Sequence, residues 1–216
     1  MGAACEEAPR QRADGAAAEP SEPRDLEAPG ARGASRAVAE APFAPVGGRD
    51  VAALQDPRPA CIVGACAPDG QVALATVIWA TPLSHTPPLV AFALRERSHT
   101  LGALRATGRF SLSMAAATAE GARAVEQCGT ASGHAVDKGA LVAHDLVDGL
   151  PVPRACASYL LCSVEGIQEA GDHLLVIGAV EAAATRCGQR DPKGRLLPFE
   201  TLLCVQHGAY GACAPL

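Results

Sequence analysis

Large aromatic side chains are scarce in this sequence: one Trp, two Tyr and four Phe give an aromatic fraction of 3%. Alanine is abundant but contributes little buried area per residue, so the core has to rely on Val, Ile and Leu. Runs of Lys or Arg are missing, and the formal net charge is -5. This argues against a phosphate-backbone partner, for which a basic face would supply the affinity, and no nucleic-acid partner is expected. No stretch approaches ~18 uninterrupted apolar residues. The N-terminus also lacks a basic segment followed by an apolar run, so neither membrane insertion nor export is expected. Met1 to Cys5 has the outline of a lipidation site, but Glu6 stands where myristoylation requires Ser or Thr.

Several catalytic signatures are absent too. There is no Gly-x-Gly-x-x-Gly turn and no Gly-x-x-x-x-Gly-Lys-Ser/Thr loop, which excludes the usual dinucleotide and phosphate-loop folds. Gly129-Thr130-Ala131-Ser132-Gly133 has Thr130 where a nucleophile elbow needs Gly, so Ser132 reads as a loop serine. The six histidines show no paired spacing on one element, and no metal site is expected. The nine cysteines are odd in number and Cys61 and Cys66 are too far apart for a Cys-x-x-Cys motif. They read as reduced, mostly buried small hydrophobes of a cytosolic, cytoplasmic protein.

What is present divides in two. Residues 1–45 are Ala, Pro, Glu, Arg and Gly with almost no large apolar side chains, which predicts a disordered extension. Residues 46–216 carry the pattern of a folded domain. Asp50 to Leu54 predicts a short helix ended by Asp56-Pro57. Ala60 to Cys66 and Val72 to Trp79 read as strands joined at Asp69-Gly70, since Gly accepts the positive φ of a tight hairpin. After a loop closed by Pro87-Pro88, Leu89 to Leu94 makes a third strand. Ser98 is placed to cap a helix with Leu101 and Leu104 inward, which Gly108 ends before a strand from Phe110 to Met114. Ala119 to Gln127 reads as helix and Gly129 to Pro153 as loop-rich. Ala157 to Glu165 and His173 to Ala184 form a second hairpin around Gly171-Asp172. Many short strands with two or three short helices predict a mainly β fold, a β-barrel rather than a doubly wound sheet.

From Arg58 to Tyr210 these pieces fall in an order that resembles the flavin reductase-like domain, an FMN-binding split barrel. The resemblance rests on Arg58-Pro59, Asp69-Gly70, the segment Trp79 to Val90 with its Ser84-His85-Thr86-Pro87-Pro88-Leu89-Val90 end, Ser98-His99-Thr100, Thr107-Gly108-Arg109-Phe110, Gly149-Leu150-Pro151, Gly171-Asp172-His173 with Ile177 to Val180, and Gly208-Ala209-Tyr210. It implies a flavin reductase in which NADH or NADPH delivers hydride to FMN or FAD. It also implies a homodimer with flavin near the subunit interface, which Leu202 to Val205 would help form, and a partner such as a monooxygenase that takes the reduced product. An FMN-binding flavoprotein that passes electrons without using NAD(P)H efficiently, and a non-catalytic split-barrel module, stand as alternatives.

By the same resemblance Thr76, Val77, Ile78 and Trp79 hold the isoalloxazine edge, and Arg95, Arg97, Ser98, His99 and Thr100 lie at the phosphate, where a helix start favours an anion. Asp172 and His173 are implied at the nicotinamide, with the carboxylate orienting the imidazole. Plainer readings of the same residues remain open. Thr76 is also an ordinary strand residue, Ser98 and the arginines an ordinary cap with exposed charges, and Gly171-Asp172 an ordinary turn. Ala73, Ala103, Ser113, Ile78 and Gly139 depart from the pattern, replacing amides, a hydroxyl or a ring that relatives place there.

Overall fold

A computed structural model describes residues 43–48, 50–186, 191–196, 201–206 and 208–213. Residues 1–42 of the expected extension lie outside them. Past a short helix, α1 (Asp50–Ala53), the domain is mostly antiparallel sheet: β1 (Arg58–Pro59), β2 (Cys61–Cys66), β3 (Val72–Val77), β4 (Ala80–His85) and β5 (Pro88–Leu94). Then come α2 (His99–Thr107), β6 (Arg109–Ala115), α3 (Ala119–Thr130), α4 (Lys138–Leu141), β7 (His144–Val147) and β8 (Leu150–Pro153). Two long strands, β9 (Cys156–Ala170) and β10 (His173–Thr185), precede β11 (Leu202–Gln206) and β12 (Ala209–Ala212).

Seven strands form one sheet in the order β3-β2-β6-β9-β10-β5-β4. Its edges β3 and β4 are not paired with each other, so the barrel is split. Alternation along the strands assigns the two faces. Cys61 and Val63 of β2 join Val77 of β3, Phe92 of β5, Phe110 of β6 and Val176 of β10 in one enclosed core. Ile62 points the other way and packs with Leu74 under Val125 and Cys128 of α3. Register irregularities at Ile177/Gly178 and Val180/Ala182 interrupt the β9–β10 ladder. Such bulges bend a strand, and they let the 15-residue β9 and the 13-residue β10 follow the curve of the sheet.

The core's scarce large side chains are concentrated. Phe92 and Phe110 meet edge-on with centroids 5.1 Å apart. Gly178 lies against the Phe110 ring so closely that a Cβ there would overlap it. The Phe92–Phe110 contact therefore needs glycine at 178.

Several expectations change. The stretch before Pro87-Pro88 is not all loop: β4 pairs with β5 from Ala80↔Phe92 to His85↔Pro88. As an edge strand with Pro82 and mostly exposed side chains it carries no alternating apolar pattern. The 129–153 region holds α4 and the β7–β8 hairpin, and α3 runs on to Thr130. β3 stops at Val77 instead of Trp79. Ser98 occupies the N-cap position of α2 but its side chain makes no capping bond, whereas Gly108 ends that helix at φ 69 as its type requires. Cys61, Cys128, Cys156, Cys162 and Cys204 are buried free thiols. Burial pushes Cys61, Cys128 and Cys162 up to about 12, leaving them as unreactive thiols at neutral pH. Among the described residues no helix is long and apolar enough to cross a membrane.

Gly178→Ala should destabilise the domain by about 1–3 kcal/mol, the usual cost of overpacking. Urea denaturation checks this, and an unchanged midpoint would contradict the packing described.

Candidate functional site

The pairing of β10 with β5 sets the site. Leu174 faces Leu94 in the ladder, so His173, one residue before, falls across from Arg95, one residue after. The two strand ends open together onto a cavity of about 580 Å³. Its walls come from Ala75 and Thr76 of β3, Arg95, Arg97 and Ser98 after β5, the end of α3, Ser132 and His134 in the loop beyond, Lys138 of α4, and His173.

Five residues expected at the site from sequence thus line one cavity: Thr76, Arg95, Arg97, Ser98 and His173. Thr76 is already occupied, donating from Oγ1 to the Val125 carbonyl at 2.5 Å and so tying β3 to α3. Ser98 keeps its hydroxyl free of the helix. Val77 is buried in the barrel core, so only its main chain can serve a ligand. Ile78 lines a second cavity of about 500 Å³ with Cys204, Gly208 and Tyr210, which adjoins the first at Thr76, Gly129 and Thr130. Trp79 is half-exposed, with its ring 4.8 Å from that of His173 and the Arg58 guanidinium 5.8 Å from its centroid. His99 packs edge-on against His134, centroids 5.0 Å apart, and does not line the cavity. Thr100 is buried, 2% exposed, and does not line it either. Of the apolar run 202–205, Leu202 and Cys204 are buried in the second core cluster and Val205 is exposed.

Lys138 went unnoticed in the sequence. It is 7% exposed, lines the cavity, and donates from Nζ to the Cys128 carbonyl at 2.5 Å. Burial lowers its pKa, since charge is disfavoured away from water, and the pull of Cys128 opposes this only in part. A signal was available in Asp137, whose carboxylate accepts the Gly139 and Ala140 amides and starts α4 inside what reads as loop. No Asp or Glu lines the cavity among the described residues, while Arg95, Arg97 and Lys138 approach it from two elements. On a chain of net charge -5 this is a local reversal of sign suited to an anion.

His173 Nδ1 lies 2.7 Å from Asp172 Oδ1. The imidazole side chain is 15% exposed and the carboxylate 85%, so the ring is held inward by a group in solvent. With Nδ1–H donating, Nε2 has no hydrogen-bond partner among the described residues. The bond to His173 holds the Asp172 carboxyl below the usual carboxylate range, with Arg95 adding a smaller pull.

The model of the flavin reductase like domain matches residues 55–211. The chain belongs to that family. A flavin reductase of Pseudomonas putida is 31% identical over 127 residues, 58% of this chain and 72% of its own. An FMN-binding protein from Thermus thermophilus, solved with 1-cyclohex-2-enone, superposes with a TM-score of 0.69 at 29% identity, covering 80% of this chain and 93% of that one. An NADH:FAD oxidoreductase from Streptomyces globisporus shares the fold, with a TM-score of 0.64 at 22% identity over 81% of this chain and 95% of its own. This member of the flavin reductase family thus shares its split barrel with both solved structures, and the cavity between the β5 and β10 ends is built on that common frame.

Because the folded pKa of Asp172 is depressed, the contribution of its contact with His173 is complete above the ordinary carboxylate range. It is lost as pH falls through the lowered value. NMR titration of the Asp172 carboxyl should give a midpoint below that of a free aspartate, and His173→Ala should move it upward. A midpoint that the substitution leaves in place would contradict the pairing.

Proposed function

We propose that this chain is an NAD(P)H-dependent flavin reductase, taking hydride from NADH or NADPH onto FMN or FAD. The observation that carries the reading is the cavity that gathers Arg95, Arg97, Ser98 and Lys138 beside Thr76 and His173. Three cations and a hydroxyl, with no lining carboxylate among the described residues, fit a phosphate monoester. The adjoining cavity beyond Thr76 and the main chain from Thr76 to Trp79 offer room and polar edge for a ring system. A bound flavin supplies the electronic chemistry, accepting hydride and passing electrons on.

The protein's own residues bind and align. Arg95, Arg97, Ser98 and Lys138 would hold the phosphate, and Lys138, only 7% exposed, gives the least-screened attraction. The main chain from Thr76 to Trp79 meets the ring edge. His173, with Nδ1 fixed by Asp172 and its ring backed by Trp79, would contact the nicotinamide and orient it for hydride transfer. Asp172 is a positioning residue in this scheme. No side chain has to transfer a proton, so rate depends on ring alignment. The resemblance further supports a cytoplasmic homodimer whose reduced flavin serves a partner such as a monooxygenase.

Lys138→Met should weaken FMN binding about tenfold or more, as loss of a hydrogen bond to a charged group implies, about 1.5–3 kcal/mol. Riboflavin, which lacks the phosphate, should bind unchanged. Equal losses for both would place Lys138 away from the phosphate. NADH consumption that depends on added FMN tests the activity itself. His173→Ala should cut it by about tenfold or more with little loss of bound flavin, as a misaligned ring pair would. Unaltered turnover would remove His173 from the scheme.

A further inference from the structure

Along α3 lies a further cavity of about 600 Å³ that the reductase scheme does not use. Ala116, Ala124, Val142 and Ala155 are among its apolar lining, and three arginines line it, of which Arg154 and Arg186 also line an adjoining cavity of about 250 Å³ with Asp145 and Cys156. Arg123 comes from α3 and makes no hydrogen bond or ion pair among the described residues. Arg186 follows β10 and is held by the main chain alone, Nε donating to the Cys156 carbonyl at 2.7 Å and Nη2 to the Arg154 carbonyl at 2.6 Å. Arg154 is paired with Asp145 through Nε and Nη2 at 3.0 and 2.8 Å. Glu120 is the one acidic side chain in the lining among the described residues.

We propose that this cavity binds an organic anion, an apolar body carrying a terminal carboxylate or phosphate. Volume and walls are those of a small-molecule site, where apolar lining supplies contact area and a few polar groups fix orientation. Two of its three guanidiniums have no carboxylate partner among the described residues. Arg186 is also held in place by two carbonyls, so little freedom remains to be lost when an anion meets it. A planar guanidinium matches carboxylate and phosphate oxygens equally well, which makes both headgroups one chemistry at this site. Arg123 and Gln127 face both this cavity and the one behind Thr76, so the site borders the flavin region without sharing its phosphate cluster.

Calorimetric titration of the full chain, saturated with FMN, with 4-hydroxybenzoate and separately with adenosine 5′-monophosphate tests this. At least one should bind saturably, and which one does separates carboxylate from phosphate sources. Arg123→Glu and Arg154→Glu alter exposed side chains and leave the barrel core untouched. At least one should weaken that binding about tenfold, equivalent to about 1.4 kcal/mol. The proposal is overturned if neither probe saturates, if both variants bind as the parent does, or if FMN competes with the probe.

Discussion

The edge-on contact of Phe92 with Phe110 is the centre on which the barrel is built. It ties β5 to β6 across the interior, and Gly178 lets β10 close down on the same ring. Among the described residues no other pair of Phe, Tyr or Trp rings is in contact; the remaining ring contacts, Trp79–His173 and His99–His134, involve histidine. The Phe92–Phe110 contact governs function as well as structure. Once β5 and β10 are fixed in register by Leu94↔Leu174, the residues just past their ends, Arg95 and His173, have to face one another. The site is thus a consequence of core packing transmitted along two strands.

The opposite wall depends on a different kind of bond. Thr76 reaches from β3 to the Val125 carbonyl, and Lys138 reaches from α4 to the Cys128 carbonyl, so both contact the C-terminal half of α3. Each satisfies a backbone acceptor while lining the cavity. For Lys138 the arrangement keeps an ammonium group away from water with one carbonyl as its hydrogen-bond partner, a costly placement unless an anion is to be met there. Arginines likewise line the 600 Å³ cavity along α3, although the chain as a whole is acidic. Charge on this protein is organised by place.

The parts legible in sequence were those where local chemistry and tertiary structure agree. Asp69-Gly70 and Gly171-Asp172 turn where a positive φ is needed, and Gly70, Gly108 and Gly171 all adopt one. β2, β3, β5, β6, β9 and β10, which line the first core cluster, carried enough Val, Ile and Leu to be found, whereas β11, with Leu202 and Cys204 in the second, read only as an apolar run. β4 was not found, because an exposed edge strand has no face to bury, and neither was the β7–β8 hairpin, which packs on the outside of the barrel through Ser111 and the Pro151 carbonyl. The site divides the same way. Arg95, Arg97 and Ser98 belong to a contiguous motif, and Thr76 and His173 to recognisable strand ends. Lys138 comes to the cavity through a four-residue helix that no periodicity announces, and the burial of Thr100 is a tertiary fact invisible in the motif around it.

Reduction by a nicotinamide of a flavin held among Arg95, Arg97, Ser98 and Lys138 is the activity proposed for this member of the flavin reductase family. Anaerobic stopped-flow mixing of the protein and FMN with NADH, followed at the flavin absorbance band, tests it most directly. Rapid bleaching that slows in His173→Ala is the predicted result. A yellow colour that persists in the parent protein with either NADH or NADPH would contradict the account.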